Sequence, residues 1–139
     1  MIRLSRFQAI QCLVVFSSLM LLSCGKKSSG GGDAPEVDLV VETTPAFSSV
    51  QPAAPGPDFD LAVVIKSQMP PRGVTITVSA APEEGGANFF TDTRTSSNPT
   101  NTFVIRNTPS QKACIVSVKV TSVSKSSNAL TGTYRYSRK

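Results

Sequence analysis

The sequence contains no histidine and no tryptophan, and only 6% of its residues are aromatic. Without histidine, the chain lacks the usual general base of serine and cysteine hydrolases and the commonest transition-metal ligand. Its one run of three glycines, residues 30–32, has no strand before it and no helix after it, so it is not a phosphate-binding loop. We therefore predict a protein that is not an enzyme and that carries no metal and no cofactor.

Residues 1–23 have the parts of a secretory signal peptide. Arg3 and Arg6 give the start a positive charge, and an apolar run from Ala9 to Leu22 follows. This run is shorter than the roughly 20 residues that a permanent membrane-spanning helix needs. We predict that residues 1–23 are a cleaved signal peptide. An uncleaved signal anchor is the alternative, which the length of the run disfavours.

The end of the leader and the residue after it read Leu21-Leu22-Ser23-Cys24, which resembles the lipobox of bacterial lipoproteins. In that family the cysteine thiol receives a diacylglyceryl group, the leader is cut just before the cysteine, and the new amine is acylated. The resemblance implies that Cys24 is lipidated, that Leu21 and Ser23 direct the peptidase, and that covalent acyl chains hold the protein in membrane lipid. Leu22 departs from the commoner small residue, and the alternative is an ordinary signal peptide cut elsewhere.

The residues after Cys24 bear on location and on the link to the rest of the chain. Gly25 stands where a retention signal would have Asp, and the following Lys26-Lys27-Ser28 is not acidic. For a lipoprotein this implies the bacterial cell envelope, at the outer membrane and facing the periplasm, with the cell surface as the alternative. Residues 24–35 are rich in Gly, Ser and Lys and cannot bury apolar surface, so we predict a lipidated cysteine followed by a flexible tether.

The positive charge of the chain does not point to nucleic acid. The formal net charge is +5, but Arg3 and Arg6 belong to the leader, and the other basic residues are scattered. No basic stripe alternates with aromatic residues, and no zinc-finger motif is present, so we predict no nucleic-acid partner.

After residue 36 the sequence alternates between apolar and polar residues, which indicates β-strands. Seven such segments are separated by turns rich in Pro, Gly, Ser and Asn, at residues 37–42, 59–66, 74–80, 89–95, 103–107, 114–121 and 131–138. One face of each strand is apolar, so two sheets should pack face to face. We predict one all-β domain over residues 36–139.

The number and spacing of these strands resemble an immunoglobulin-like or fibronectin type III-like domain. The resemblance implies a single antiparallel β-sandwich of about seven strands. The chain has no tryptophan and only one cysteine in the predicted domain, Cys114, unlike the immunoglobulin family with its core tryptophan and cysteine pair. This favours the fibronectin-like or a generic bacterial variant, and a small barrel is the alternative.

Two positions in the predicted domain have side chains that could serve a ligand or a reaction. Tyr134 and Tyr136 share one face of the last strand, with Arg135 beside them, and could form a platform on which a sugar stacks; packing in the core or at an edge is the favoured alternative. Cys114 could be a nucleophile, but its alternation with valines favours a buried hydrophobic residue.

Two pairs of carboxylates are further candidate sites. Asp58 and Asp60 could ligate calcium, but six or more oxygen ligands are normally needed, and a solvated strand entry is favoured. Glu83 and Glu84 are adjacent on a turn and rarely would both face one substrate. The sequence therefore predicts a lipid-anchored, non-enzymatic domain for interaction or structural use; a glycan-binding module or an accessory subunit of an envelope enzyme are the alternatives, so the partner is an envelope protein or a glycan.

Overall fold

A computed structural model describes residues 35–139. The signal peptide, the peptidase determinants Leu21 and Ser23, the lipidation site Cys24 and the tether as far as residue 34 lie outside the described residues. Within residues 35–139 there is no helix of the length and apolarity needed to cross a bilayer. The described chain forms seven strands: β1 (Val41–Thr44), β2 (Phe59–Ile65), β3 (Val74–Pro82), β4 (Phe90–Ser96), β5 (Thr100–Ile105), β6 (Ala113–Ser122) and β7 (Ala129–Ser137).

The strands form two antiparallel sheets, in the orders β1-β2-β5 and β4-β3-β6-β7. No strand is shared between the sheets, so the fold is a sandwich and not a barrel. The predicted all-β, immunoglobulin-like architecture of seven strands is confirmed. In a constant-type immunoglobulin domain the fourth strand lies in the sheet of the first, second and fifth. Here β4 instead pairs with β3, with Thr75 opposite Thr95.

The core lies between the sheets and follows from the alternation of residues along each strand. In β3 the side chains of Val74, Ile76 and Val78 are fully buried, whereas Thr75 and Thr77 lie on the outer face. Full burial of each large aliphatic side chain stabilises the fold by about 1.5–3 kcal/mol. The same alternation continues in the other long strands, whose buried residues include Leu61, Val63, Ile65, Phe103, Ile105, Cys114, Val116, Val118, Val120, Tyr134 and Tyr136.

The start of the first strand differs from the prediction. The sequence places Val37 on the inward face with Leu39 and Val41, but only the latter two are buried, and Val37 is 57% exposed. The reason is that residues 36–39 do not pair with a strand. Asn128 holds them instead: its Nδ2 donates to the carbonyl of Val37 (3.0 Å), and its Oδ1 accepts from the backbone N–H of Leu39 (2.9 Å).

Glu36 extends this contact. Its carboxylate accepts hydrogen bonds from the Ser122 hydroxyl (3.0 Å) and from Nδ2 of Asn128 (3.1 Å). Partial burial raises the pKa of Glu36. The hydrogen bonds from Asn128, Ser122 and Ser124 and the charge of Lys125 together lower it by more than burial raises it, so the pKa of Glu36 lies below its ordinary value. The buried Asn128 is therefore the residue that docks the entering chain on the loop between β6 and β7.

The register of the strands gives the sandwich two ends. The entry end contains residues 35–40, where the described chain begins, and the loops at 66–73, 97–99 and 123–128. The far end contains the loops at 83–89 and 106–112 and the end of β7. The chain therefore enters the sandwich at one end, and its last strand finishes at the other.

The sandwich also has two open sides, and a different device closes each. On the strap side, between β1 and β7, residues 46–55 run along β7; we call this segment the strap. On the arginine side, between β4 and β5, the guanidinium of Arg94 covers the gap. Its Nη1 donates to the carbonyl of Thr102 (3.2 Å), its Cζ lies 4.6 Å from the ring centroid of Phe103, and its Nε donates to Asp92 (3.0 Å).

Candidate functional site

The strap begins where the chain leaves the three-stranded sheet after β1, at the cis peptide bond between Thr44 and Pro45. It then runs parallel to β7 in the other sheet. Backbone hydrogen bonds join the strap to every second residue of β7 and of the chain just after it. From the strap, the N–H groups of Ser48, Gln51 and Ala54 donate to the carbonyls of Thr133, Arg135 and Ser137. In the other direction, the N–H groups of Arg135 and Lys139 donate to the carbonyls of Ser49 and Ala54. The strap therefore covers the edge of β7, which would otherwise be open to pairing with another chain.

One aromatic side chain fixes the start of the strap. Phe47 is partly buried against the core, and its ring lies directly over Gly132 of β7. A Cβ atom added at Gly132 would collide with this ring. The absence of a side chain at Gly132 therefore allows Phe47 to pack flat against the strand.

A cleft of about 190 Å³ opens beneath the strap. The strap contributes Gln51, Pro52 and Ala54 to its lining, and Pro45 precedes them. Most of the lining surface is carbon. The strap therefore does not seal its side of the sandwich completely, although its backbone is paired along β7.

The other walls of the cleft are aromatic. Phe59 and Asp60 line it from β2, and Tyr134 and Tyr136 line it from β7. The rings of Phe59 and Tyr136 meet edge to face with centroids 4.5 Å apart, and those of Tyr134 and Tyr136 lie 6.1 Å apart. These three rings form one packed group, as aromatic pairs at such separations do.

The two tyrosine hydroxyls differ. That of Tyr136 shares a 2.8 Å hydrogen bond with the Thr108 hydroxyl, whereas that of Tyr134 is buried with no hydrogen-bond partner. Burial raises the pKa of Tyr136 to about 12, although the hydrogen bond with Thr108 opposes this rise. Burial, with a contribution from Tyr136, raises the pKa of Tyr134 well above its ordinary value. An unpartnered buried hydroxyl is uncommon in proteins and costs stability.

The start of β2, which lines the cleft, has no strand paired to it on the side of β1. Pairing between these strands stops at Thr44 and Ala62, because the chain turns away at Pro45. The N–H of Lys66 donates to the carbonyl of Val40, on the side of β1. The N–H of the preceding residue, Ile65, donates to the carbonyl of Pro99, on the side of β5. Since backbone groups alternate in direction along a strand, the N–H and C=O of Asp60 turn towards this unpaired side.

The structure corrects the predicted sugar-stacking platform. Tyr134 and Tyr136 are only 2% and 3% exposed, so neither presents the open ring face that stacking needs. Arg135 is not beside their rings, because successive side chains of a strand point to opposite faces. Its Nε lies 2.5 Å from the Glu83 carboxylate on the outer face. The favoured alternative, packing in the core, is the one observed.

The remaining candidates occupy separate places. Cys114 lies in the core; burial raises the pKa of its thiol, as expected for a hydrophobic position. Glu84 pairs with Lys112, away from the Glu83–Arg135 pair, so the two adjacent glutamates do not act on one point. Asp58 and Asp60 are exposed at the entry to β2. Within residues 35–139 no three His, Cys, Asp or Glu side chains are grouped to hold a metal ion.

Sequence reasoning missed the strap and its contacts. The proline-rich composition of residues 45–57 gives no indication that this segment pairs with β7. Gly132, a glycine inside an otherwise regular strand, was the available signal, because such a glycine often marks a close approach of another group.

No protein-family model matches this chain, and no curated protein matches it.

Proposed function

We propose that this protein is a lipoprotein of the bacterial cell envelope, in which acyl chains on Cys24 hold a non-enzymatic β-sandwich that binds an envelope partner. The observation that carries the lipid attachment is the sequence Leu21-Leu22-Ser23-Cys24 at the end of an apolar run, directly before a stretch rich in Gly, Ser and Lys. A single acyl chain binds a membrane only marginally, whereas two or three chains on one residue hold it stably.

The number of residues between Cys24 and the domain supports this proposal. Among residues 35–139, Glu36 is the first whose side chain bonds to the body of the sandwich, through Ser122 and Asn128. Twelve residue steps separate it from Cys24, and an extended chain of that length reaches about 40 Å. This span is enough to hold the whole sandwich clear of the lipid headgroups while keeping it close to the membrane.

The strap cleft supports a binding role over a structural one. Its volume of about 190 Å³ is below the roughly 300–1,000 Å³ of sites that enclose a drug-sized ligand. It is large enough for one side chain, which is how a protein partner commonly inserts an anchor residue. The burial of Tyr134 and Tyr136 removes the observation on which the glycan-binding alternative rested.

The test of lipidation uses the three cysteines of the chain as matched variants. Cells expressing Cys24→Ser, Cys12→Ser or Cys114→Ser are grown with an alkyne fatty acid, and the protein is captured and probed for the label. Only Cys24→Ser should lose the label, because Cys12 lies in the predicted leader and Cys114 is in the core. Undiminished labelling of Cys24→Ser would refute the attachment site.

Fractionation tests the predicted location. Separation of inner and outer membranes should place the labelled protein with the outer membrane, and protease added to intact cells should leave it uncut if it faces the periplasm. Cleavage in intact cells would instead assign it to the cell surface.

A further inference from the structure

We propose that Glu36 and Asn128 form a releasable clasp, which holds residues 36–38 on the loop between β6 and β7 and opens when the Glu36 carboxylate is protonated. Opening adds these residues to the chain that links the sandwich to Cys24. The clasp itself involves only described residues of the sandwich. Its consequence for the reach of the domain rests on the lipid attachment proposed above.

Residues 36–38 are held mainly by hydrogen bonds and bury little apolar surface. Val37 and Asp38 are exposed, and the core begins only at Leu39. Because apolar burial is the main stabilising term in folding, the three residues can leave the loop without opening the core, and local opening of this kind stops at Leu39. The first anchored residue then moves three steps along the chain, which lengthens the extended link by about 10 Å.

Asn128 supplies the fixed half of the clasp. Its side chain is buried, and its own backbone is bonded into the loop: its N–H donates to the carbonyl of Lys125, and its carbonyl accepts from the N–H of Ser122 (both 2.9 Å). The amide side chain therefore keeps its position when the entering chain leaves. In the closed clasp its Nδ2 donates to Glu36 and to the carbonyl of Val37, and its Oδ1 accepts from the N–H of Leu39.

Both groups that bond to the Glu36 carboxylate are donors. The Ser122 hydroxyl donates to Oε1 (3.0 Å), and Nδ2 of Asn128 donates to Oε2 (3.1 Å). The Ser122 oxygen already accepts from the backbone N–H groups of Ser124 and Lys125 (both 3.1 Å), so its proton is the part left for Glu36. An ionised carboxylate only accepts, whereas a protonated one carries a donor on one oxygen. Protonation therefore sets one donor against another, and the clasp loses a hydrogen bond.

The charges around Glu36 act in the same direction. Lys125 is the one charged residue of the loop at 123–128, and the residues of the facing loop that line the small cavity beside Glu36 do not titrate: Gln68, Met69, Pro70 and Pro71. Partial burial raises the pKa of Glu36, but the hydrogen bonds and the charge of Lys125 lower it by more, to below its ordinary value of 4.5. The contribution of the clasp is therefore present above pH 4.5 and is lost as the pH falls through the lowered pKa.

An NMR titration of the purified full-length mature protein in detergent micelles tests the clasp. The pH is lowered from neutral to acid while the side-chain carboxyl carbon of Glu36, the side-chain amide of Asn128 and the backbone amide of Leu39 are followed. We expect all three signals to change with one midpoint, below pH 4.5. The amide of Lys66, which donates to the carbonyl of Val40 just beyond Leu39, reports on the same end of the sandwich and should not change at that midpoint.

Two matched variants separate Glu36 from its surroundings. Glu36→Gln keeps the shape of the side chain but places an amide donor where the carboxylate accepted, so the clasp should be open at every pH. Exchange of the Leu39 amide with solvent should be about tenfold faster at neutral pH, as the loss of a hydrogen bond to a charged group predicts, and the acid transition should disappear. Asp38→Asn removes the same charge from an exposed neighbour and should keep both the exchange rate and the transition.

Several results would overturn the proposal. They are Asn128 and Leu39 signals that do not follow the ionisation of Glu36, an unchanged exchange rate of Leu39 in Glu36→Gln, loss of the transition in Asp38→Asn, and opening at Lys66 at the same pH, which would mean general unfolding. The titration of the unaltered protein decides the question even if a variant fails to fold. The Cys24→Ser protein should show the same transition, so failure of the clasp and failure of lipidation are separate outcomes.

Discussion

The strap side and the arginine side of the sandwich solve the same problem by different means. Each is a gap between two sheets that leaves strand edges and core residues close to water. On the strap side the chain itself fills the gap, with backbone hydrogen bonds to β7 and the ring of Phe47 on Gly132. On the arginine side a single guanidinium covers Phe103 and caps the carbonyl of Thr102.

The two means differ in what they depend on. Main-chain pairing and apolar contact are little affected by salt, whereas an exposed guanidinium–carboxylate contact is screened by it. The strap can also leave a cleft beneath it without breaking its pairing, because its hydrogen bonds lie along β7 and not towards β2. We infer that the strap side contributes more to stability, while the arginine side mainly discourages pairing of β4 and β5 with other chains, as inward-pointing charges on edge strands do.

The largest effect should come from removing the ring that holds the strap. Phe47→Ala should lower the free energy of unfolding by about 2 kcal/mol, because Phe47 is only partly buried and full core truncations of phenylalanine cost more. Denaturant titration measures this. Gly132→Ala should also destabilise the protein through its collision with the Phe47 ring, and the double variant should lose less than the sum of the two. Additive losses would show that the ring and the glycine do not act together.

A smaller effect of opposite sign should follow from Tyr134→Phe, within the cleft. Removal of a buried hydroxyl that has no partner should raise the free energy of unfolding by about 1 kcal/mol. The matched variant Tyr136→Phe should instead destabilise, because it leaves the Thr108 hydroxyl without its partner. A destabilised Tyr134→Phe would mean that its hydroxyl has a partner in solution.

The same tyrosines predict how stability changes in alkali. Burial raises the pKa of both tyrosines in the folded state. Their contribution to the free energy of unfolding is therefore fully present below pH 10.0, the ordinary pKa of tyrosine. It is lost as the pH rises through the folded-state pKa, which is about 12 for Tyr136. Tyrosinate absorbance should therefore appear together with unfolding. In Tyr134→Phe the loss of stability above pH 10.0 should be shallower.

The smallest effect should come from the arginine side. Arg94→Gln should lower stability by about 0.5–1 kcal/mol at low salt, from the loss of an exposed ion pair and a cation–π contact. The loss should shrink in high salt, whereas that of Phe47→Ala should not. Arg106→Gln, which lines the same opening without an ion pair among residues 35–139, is the control and should change stability little. A loss at Arg94 that is large and independent of salt would erase the distinction between the two sides.

The sequence predicted the strands well because burial on one face imposes an alternation that can be read directly. The expectation of one apolar face was wrong for β4, in which Asp92 and Arg94 alternate with threonines and both faces are polar. It misplaced Val37 because apolar alternation continues beyond the last residue that has a strand partner. The strap could not be predicted because its hydrogen bonds join it to a segment about 85 residues later and follow no side-chain pattern.

The tyrosines illustrate the same limit at the candidate site. Alternation indicates that Tyr134 and Tyr136 share a face, but it does not say whether that face is the inner or the outer one. Gly132 lies on the same face of the strand as the two tyrosines and, having no side chain, does not indicate whether that face is apolar. Only the register with Val116 and Cys114 of β6 places their rings inside.

The direction of the strap has a mechanical consequence. It runs parallel to β7, the described chain enters the sandwich at one end, and β7 finishes at the other. Tension applied between these two points would slide the strap and β7 past each other, so their hydrogen bonds would bear the load together and not break one after another. A domain attached to a membrane at one end and bound by a partner at the other would then resist shear through the hydrogen bonds between the strap and β7.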